Sequence, residues 1–241
     1  MKRLFTYIII FAVTVTAFGQ QTFGFKVNGG FSYLTTERKE YPSTPKTQSY
    51  YPMFSGQGGL TYSYNFKNKF VIGTELLYNE IEGKEYLKLF SGMTINGNFV
   101  SDNGYYETNI FRHIYGIGLP IYIGYNFQKF NINIGFQANF AISSVSENSI
   151  ISENPSYFQD LYNGGGSIYN PQENELELDK ISYGARIGLF YNLSKRYSIE
   201  ANYYYGLTNL LKENSIFEPP IWNVQQLMIG IRYSFLLPDK K

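Results

Sequence analysis

The chain has 241 residues, no cysteine, one histidine and a formal net charge of +1, and it carries 24 Tyr and 20 Phe. Without cysteine there is no disulfide, no thiol chemistry and no lipid-modified cysteine, and near-neutrality gives no footing for nucleic acid or a strongly charged substrate. Aromatic residues make up 19% of the chain while the mean hydropathy is −0.25, a combination that suits a sheet in which only alternate residues meet lipid.

At the N-terminus Lys2 and Arg3 precede an apolar run over 4–18, and the small residues Ala17 and Gly19 stand in cleavage-site positions. This reads as a secretory signal, too short for a stable spanning helix, so residues 1–19 are assigned to it and 20–241 to one mature domain. No later apolar run approaches helix-spanning length, so any crossing of a membrane must use strands.

Alternating segments then follow one another. Weak alternation runs through 22–35, 52–65 and 69–82. In the next segment Phe111, Tyr115, Ile117, Leu119, Ile121, Ile123, Tyr125 and Phe127 share a face, opposite Gly116, Gly118, Pro120, Tyr122 and Gly124. From 130 to 142 the even positions are Phe130, Ile132, Ile134, Phe136, Ala138, Phe140 and Ile142, and the odd ones are small or polar. From 181 to 193, Ile181, Tyr183, Ala185, Ile187, Leu189 and Tyr191 oppose Ser182, Gly184, Arg186, Gly188 and Asn192. A weaker segment covers 197–209, and the last sets Leu227, Ile229, Ile231, Tyr233 and Phe235 against Gln226, Gly230, Arg232 and Ser234. These are eight strands, each able to supply the ~9–11 tilted residues a bilayer requires.

A repeated phrase marks three of the connections: Tyr64-Asn65-Phe66, Tyr125-Asn126-Phe127 and Tyr191-Asn192-Leu193. Each precedes a short turn, around Lys67-Asn68, Gln128-Lys129 and Ser194-Lys195, whereas the intervening connections, about 37–50, 83–108, 144–178 and 210–221, are long. Strict alternation of short and long predicts an all-β, eight-stranded antiparallel up-and-down transmembrane barrel, with short turns and both termini periplasmic and long loops outside. Parts of 83–95 and 96–108 alternate weakly, which allows the hairpin to continue above the membrane or the sheet to reach ten strands.

The segment Gly118-Leu119-Pro120-Ile121-Tyr122-Ile123-Gly124-Tyr125 resembles a strand of the PorT-like outer-membrane β-barrel proteins of the Bacteroidota. The closing stretch Gly230-Ile231-Arg232-Tyr233-Ser234-Phe235 is similar to that family's terminal strand. The resemblance implies an eight-stranded outer-membrane barrel delivered by the barrel-assembly machinery, and by analogy an accessory role in type IX secretion. One departure is the tail Leu236-Leu237-Pro238-Asp239-Lys240-Lys241, which follows the terminal aromatic.

Alternation puts Lys26, Glu75, Arg186, Glu200 and Arg232 on the interior, with Arg112 nearer the outer end. The expected role is structural, a paired network filling a barrel too narrow to conduct, and the rival is an ion or proton path. Glu173, Glu175, Glu177 and Asp179 share one edge of an extended segment above the outer leaflet, a candidate divalent-cation site beside lipopolysaccharide phosphates or a solvated rim. His113 lies at the outer end of a strand with Tyr115 two positions on, and no local spacing sets a carboxylate beside it. No nucleophile elbow, phosphate loop or metal-spaced set occurs, and Gly164-Gly165-Gly166 lacks the residues that would make it a phosphate cradle. The sequence therefore predicts no enzyme and no cofactor. Its expected partners are outer-membrane lipid and lipopolysaccharide, the assembly machinery, and a protein met by the outer loops. Tyrosines and phenylalanines cluster near the turns and again toward the outer rim, as interfacial girdles. A soluble lipocalin-like barrel, with the rings inside around an apolar ligand and the charges outside, is the structural alternative.

Overall fold

The computed structural model describes residues 19–37, 46–66, 69–95, 98–152, 172–175, 180–210 and 221–236. Residues 1–18, 38–45, 67–68, 96–97, 153–171, 176–179, 211–220 and 237–241 lie outside the described residues, and with them nearly all of the expected signal 1–19. The strands are β1 (Gly19–Glu37), β2 (Lys46–Phe66), β3 (Phe70–Ile95), β4 (Asn98–Phe127), β5 (Phe130–Ser152), β6 (Gln172–Glu175), β7 (Ile181–Asn192), β8 (Tyr197–Gly206) and β9 (Ile221–Leu236). Successive strands pair antiparallel, β5 passes to β7, and β9 closes on β1 from Thr22↔Leu236 to Glu37↔Ile221. Eight strands thus form a closed ring, which leaves no unpaired edge to aggregate. The short β6 lies outside that ring, paired to the upper part of β5 between Val145↔Glu175 and Asn148↔Gln172.

Facing follows the alternation. Ile121 (63% exposed), Ile123, Phe136, Ile229 and Ile231 point away from the ring, while Lys26, Glu75, Asn133, Arg186 and Glu200 are buried within it. An exterior of isoleucine and phenylalanine around a polar interior is the inverse of a soluble protein, and it is stable only where hydrocarbon replaces water. The lipocalin-like alternative needs the opposite facing, and the rings lie outside.

Aromatic contacts gather at the end with the short turns. Phe70 meets Tyr125 at 5.3 Å, Phe130 meets Tyr191 at 4.9 Å, Tyr197 meets Tyr233 at 5.0 Å and Phe23 meets Tyr62 at 4.8 Å, all across neighbouring strands. These pairs make a girdle at the periplasmic interface.

The outer half departs from the sequence reading. Residues 83–95 and 98–108, read as part of a long connection whose weak alternation allows the hairpin to continue, are strand: β3 and β4 stay in register from Gly83↔Arg112 to Phe90↔Tyr105 and again from Gly92↔Ser101 to Ile95↔Asn98. β5 likewise continues to Ser152, and β8 ends at Gly206 rather than 209. The upper parts of β2–β5 therefore form a wall taller than the neighbouring β7 and β8. Bulges mark where it begins. Residues 53–56 of β2 oppose only 80–82 of β3, and Ile142 of β5 is an extra residue between the pairs Tyr115↔Ser143 and Gly116↔Ala141. A bulge inserts one unpaired residue, bends the strand and inverts its facing beyond that point. Tyr51 accordingly joins Lys84 on the outside although it shares the parity of the buried Ser55 and Gln57. At the same height the outward residues of β3 change from Leu76 and Tyr78 to Glu80, Glu82 and Lys84, which is where the chain leaves hydrocarbon.

Candidate functional site

The interior is layered from the periplasmic mouth upward, and the repeated phrase of Tyr, Asn and a Phe or Leu builds the first layer. Its flanking apolar side chains face the girdle, so the asparagine between them must face the lumen. Asn126 donates to Asn65 Oδ1 at 3.3 Å, Asn131 donates to Asn126 Oδ1 at 2.9 Å and Asn133 donates to Asn131 Oδ1 at 3.3 Å. Asn65 donates in turn to the Thr22 hydroxyl at 3.3 Å, and Ser198 donates to Asn192 Oδ1 at 2.8 Å. A wide cavity of about 700 Å³ opens among these residues and the turns at Gln128-Lys129 and 193–196.

Above this vestibule lie the five charges placed inside by alternation, and they converge. Lys26 Nζ is 2.8 Å from both Glu75 Oε2 and Glu200 Oε1. Arg186 donates to Glu75 Oε2 at 2.6 Å and to Asn202 Oδ1 at 2.6 Å. Arg232 donates through Nε to Glu200 Oε2 at 3.2 Å, through Nη1 to the Tyr122 hydroxyl at 3.1 Å, and through Nη2 to Glu75 Oε1. Asn28 completes the set by donating to Glu200 Oε1 at 2.5 Å. Arg186, Glu200 and Arg232 sit on adjacent strands, and Lys26 pairs in register with Arg232. Glu75 is different. It comes from β3 across the lumen and ties β1, β7 and β9 together at the barrel axis.

Glycines make room for these long side chains. Lys26 faces Gly59, Arg186 faces Gly135 and Glu200 faces Gly230 across neighbouring strands. A Cβ at Gly230 would come within 2.2 Å of the Val27 carbonyl oxygen, and one at Gly135 within 2.1 Å of the Ile121 carbonyl oxygen. In so narrow a ring the volume of each charged side chain is offset by the missing side chain of its neighbour.

Two aromatic members of this layer escaped the sequence reading. Alternation in the sequence turns Tyr122 inward without marking a role for it, and leaves Phe190 without a marked face. Phe190 lies beneath the Arg232 guanidinium, 4.3 Å from its centre, and the Tyr122 hydroxyl accepts the Arg232 hydrogen bond described above. Parity alone locates both, since each alternates with lipid-facing residues.

Higher still, Leu34, Ile81, Ile114, Val224, Leu210 and Tyr204 pack together as an apolar layer inside the barrel. Leu210, just past the end of β8, is drawn into this layer. Above it Arg112 donates to Glu85 Oε2 at 2.5 Å and Gln48 donates to Glu85 Oε1 at 2.5 Å. The lumen is thus filled in succession by ions, aliphatic side chains and ions again.

On the exterior, His113 acquires a carboxylate by cross-strand pairing rather than by local spacing. Glu82 stands opposite it in register, with Oε1 3.0 Å from His113 Nδ1. Of the four clustered acids, Glu173 and Glu175 fall on β6, in register with Glu147 and Val145, while Glu177 and Asp179 lie outside the described residues. Among the described residues no three His, Cys, Asp or Glu side chains gather as a metal site.

The sequence matches the family model described as outer membrane protein beta-barrel domain over residues 18–212. No curated protein matches the chain. Similar solved structures include Neisserial surface protein A, at 10% identity and a TM-score of 0.41, covering 88% of this chain and 97% of that one. OprG from Pseudomonas aeruginosa is similar at 16% identity and a TM-score of 0.38, covering 90% and 96% respectively. The E. coli outer membrane protein W shares 14% identity at a TM-score of 0.36, covering 88% and 97%.

Proposed function

This chain belongs to the outer membrane protein beta-barrel domain family, and from that premise we propose that it is a non-enzymatic envelope barrel acting through contacts made outside the cell. The observation that carries the reading is the wall above the bulges. β3 and β4, at 26 and 30 residues, run far past the ~9–11 residues that span a bilayer, whereas β7 and β8 have 12 and 10. A barrel that served only as a membrane anchor has no use for such strands. The wall carries an aromatic and charged surface, where Lys84 Nζ lies 5.6 Å from the Tyr51 ring and 5.2 Å from the Phe111 ring beside the outward Glu80 and Glu82, suited to a protein partner. Below it, lipid and lipopolysaccharide cover the belt, and the barrel-assembly machinery inserts the chain.

The test joins Gly83 to Arg112, which face each other in register, through a two-residue turn, removing the projecting hairpin and leaving the spanning ring intact. The shortened barrel is expected to fold, shown by altered gel mobility before heating, but not to restore a deletion strain in surface attachment or envelope integrity. Full restoration by the shortened barrel would refute the role given to the wall.

Kinship with PorT-like barrels is the narrower form of the proposal. Its support is the match at 118–125, where Leu119, Ile121 and Ile123 face outward and Pro120 and Tyr122 inward. An accessory role in type IX secretion would act through the periplasmic face. Assay of surface proteins exported by that route in the deletion strain separates the two: unchanged export removes it.

A further inference from the structure

Among the described residues the charged layer below the apolar one does not balance: Lys26, Arg186 and Arg232 meet Glu75 and Glu200, three cations to two carboxylates. An uncompensated charge in a low-dielectric interior is expensive, and a counter-ion brought to the most accessible member of the set relieves it. That member is Arg232. Its side chain is 9% exposed where those of Lys26 and Arg186 are 0% and 2%, and with Tyr122 it forms the floor of the periplasmic vestibule.

The vestibule repeats the same preference. Lys129 and Lys195 stand at its rim, and among the described residues no carboxylate lines it. Its walls are amides (Asn65, Asn126, Asn131 and Asn192) and hydroxyls (Ser63 and Ser234). Each link of the asparagine chain uses one of the two N–H groups an amide owns, so the wall retains donors and acceptors together. At about 700 Å³ the space falls within the roughly 300–1,000 Å³ of small-molecule sites, and its lining mixes amides and hydroxyls with the apolar Val71, Phe190 and Leu193.

We infer that the periplasmic vestibule binds a small anion carried on a hydroxyl-bearing scaffold, such as a sugar phosphate or a sugar acid. The anionic group is held between the Arg232 guanidinium and the rim lysines, and the hydroxyls are read by the asparagine wall. This site is independent of the external wall and opens on the opposite side of the membrane.

Titration calorimetry on the barrel purified in detergent tests it with glucose 1-phosphate, glucuronate and neutral glucose as probes. Saturable binding of glucose 1-phosphate or glucuronate is expected, the stronger of the two identifying a phosphoryl or carboxyl carrier, with glucose giving no heat. Replacing both rim lysines (Lys129→Gln with Lys195→Gln) is expected to weaken binding about tenfold, roughly the worth of two solvent-exposed charge contacts. Ser234→Trp fills the mouth and is expected to abolish binding, and because the lysine variant changes only turn side chains, misfolding of the tryptophan variant leaves a second reading. Absence of saturable heat with both anions overturns the inference, and so does unchanged binding in the lysine variant.

Discussion

At the scale of single residues, the lumenal network hangs on Glu75. It reaches from β3 to Lys26, Arg186 and Arg232 on three other strands, so its loss leaves three buried cations facing Glu200. Glu75→Gln keeps the shape and removes the charge, and is expected to cost about 3–5 kcal/mol, as for breaking a buried pair from one side. Urea titration of refolding into lipid vesicles measures it. A loss below about 1 kcal/mol, the worth of an exposed pair, would mean that water screens the cluster. Gly230→Ala is expected to destabilise by about 1–3 kcal/mol in the same assay, since its methyl group would overlap the Val27 carbonyl and Asn28. The charged members of this site were legible because parity alone places them inside. Their geometry was not. Neighbouring strands predict Arg186 and Arg232 beside Glu200, but the transverse reach of Glu75 depends on how narrow the ring is. His113 illustrates the same limit: its partner Glu82 lies 31 positions away and becomes a neighbour only through register.

At the scale of elements, the spanning strands were legible because lipid on one side and a polar lumen on the other impose a period of two. Ile121 lies midway along the outward face of β4, between Ile117 and Tyr125, and is 63% exposed. Ile121→Arg is expected to cost about 2–4 kcal/mol, the penalty for a cation at the bilayer midplane, measured by the same vesicle refolding. Wild-type stability in that variant would contradict its placement. The short turns set register between strands, and Gln128 enters one with a φ of 49°. A β-branched side chain is strained there, so Gln128→Val is expected to lose about 1–2 kcal/mol. The outer halves of β2–β5 were harder to read for two physical reasons. Above the membrane both faces of the wall are polar enough for alternation to fade, as at Glu80, Glu82, Lys84 and Glu85. At each bulge one extra residue inverts the facing, so a strict period of two misplaces residues beyond Ile142 on β5 and residues up to Pro52 on β2.

At the scale of the whole molecule, the stacked layers decide whether anything passes through. An ion entering from the periplasm meets the amide vestibule, then the layer tied across the axis by Glu75, then Leu34, Ile81 and Ile114. The charged layer blocks because its members are held to one another, and the aliphatic layer blocks because an ion there would find no polar partner. Two barriers of different chemistry in series make a single-layer defect insufficient. The native barrel is therefore expected to show no steady conductance in planar bilayers. Leu34→Ala with Ile114→Ala is expected to remain closed as well, although each removal of buried aliphatic volume costs about 2–5 kcal/mol in refolding. Conductance in the native protein would show that the interior rearranges. Conductance in the aliphatic variant alone would show that the Glu75 layer is permeable and that the apolar layer, not the ion network, is the seal.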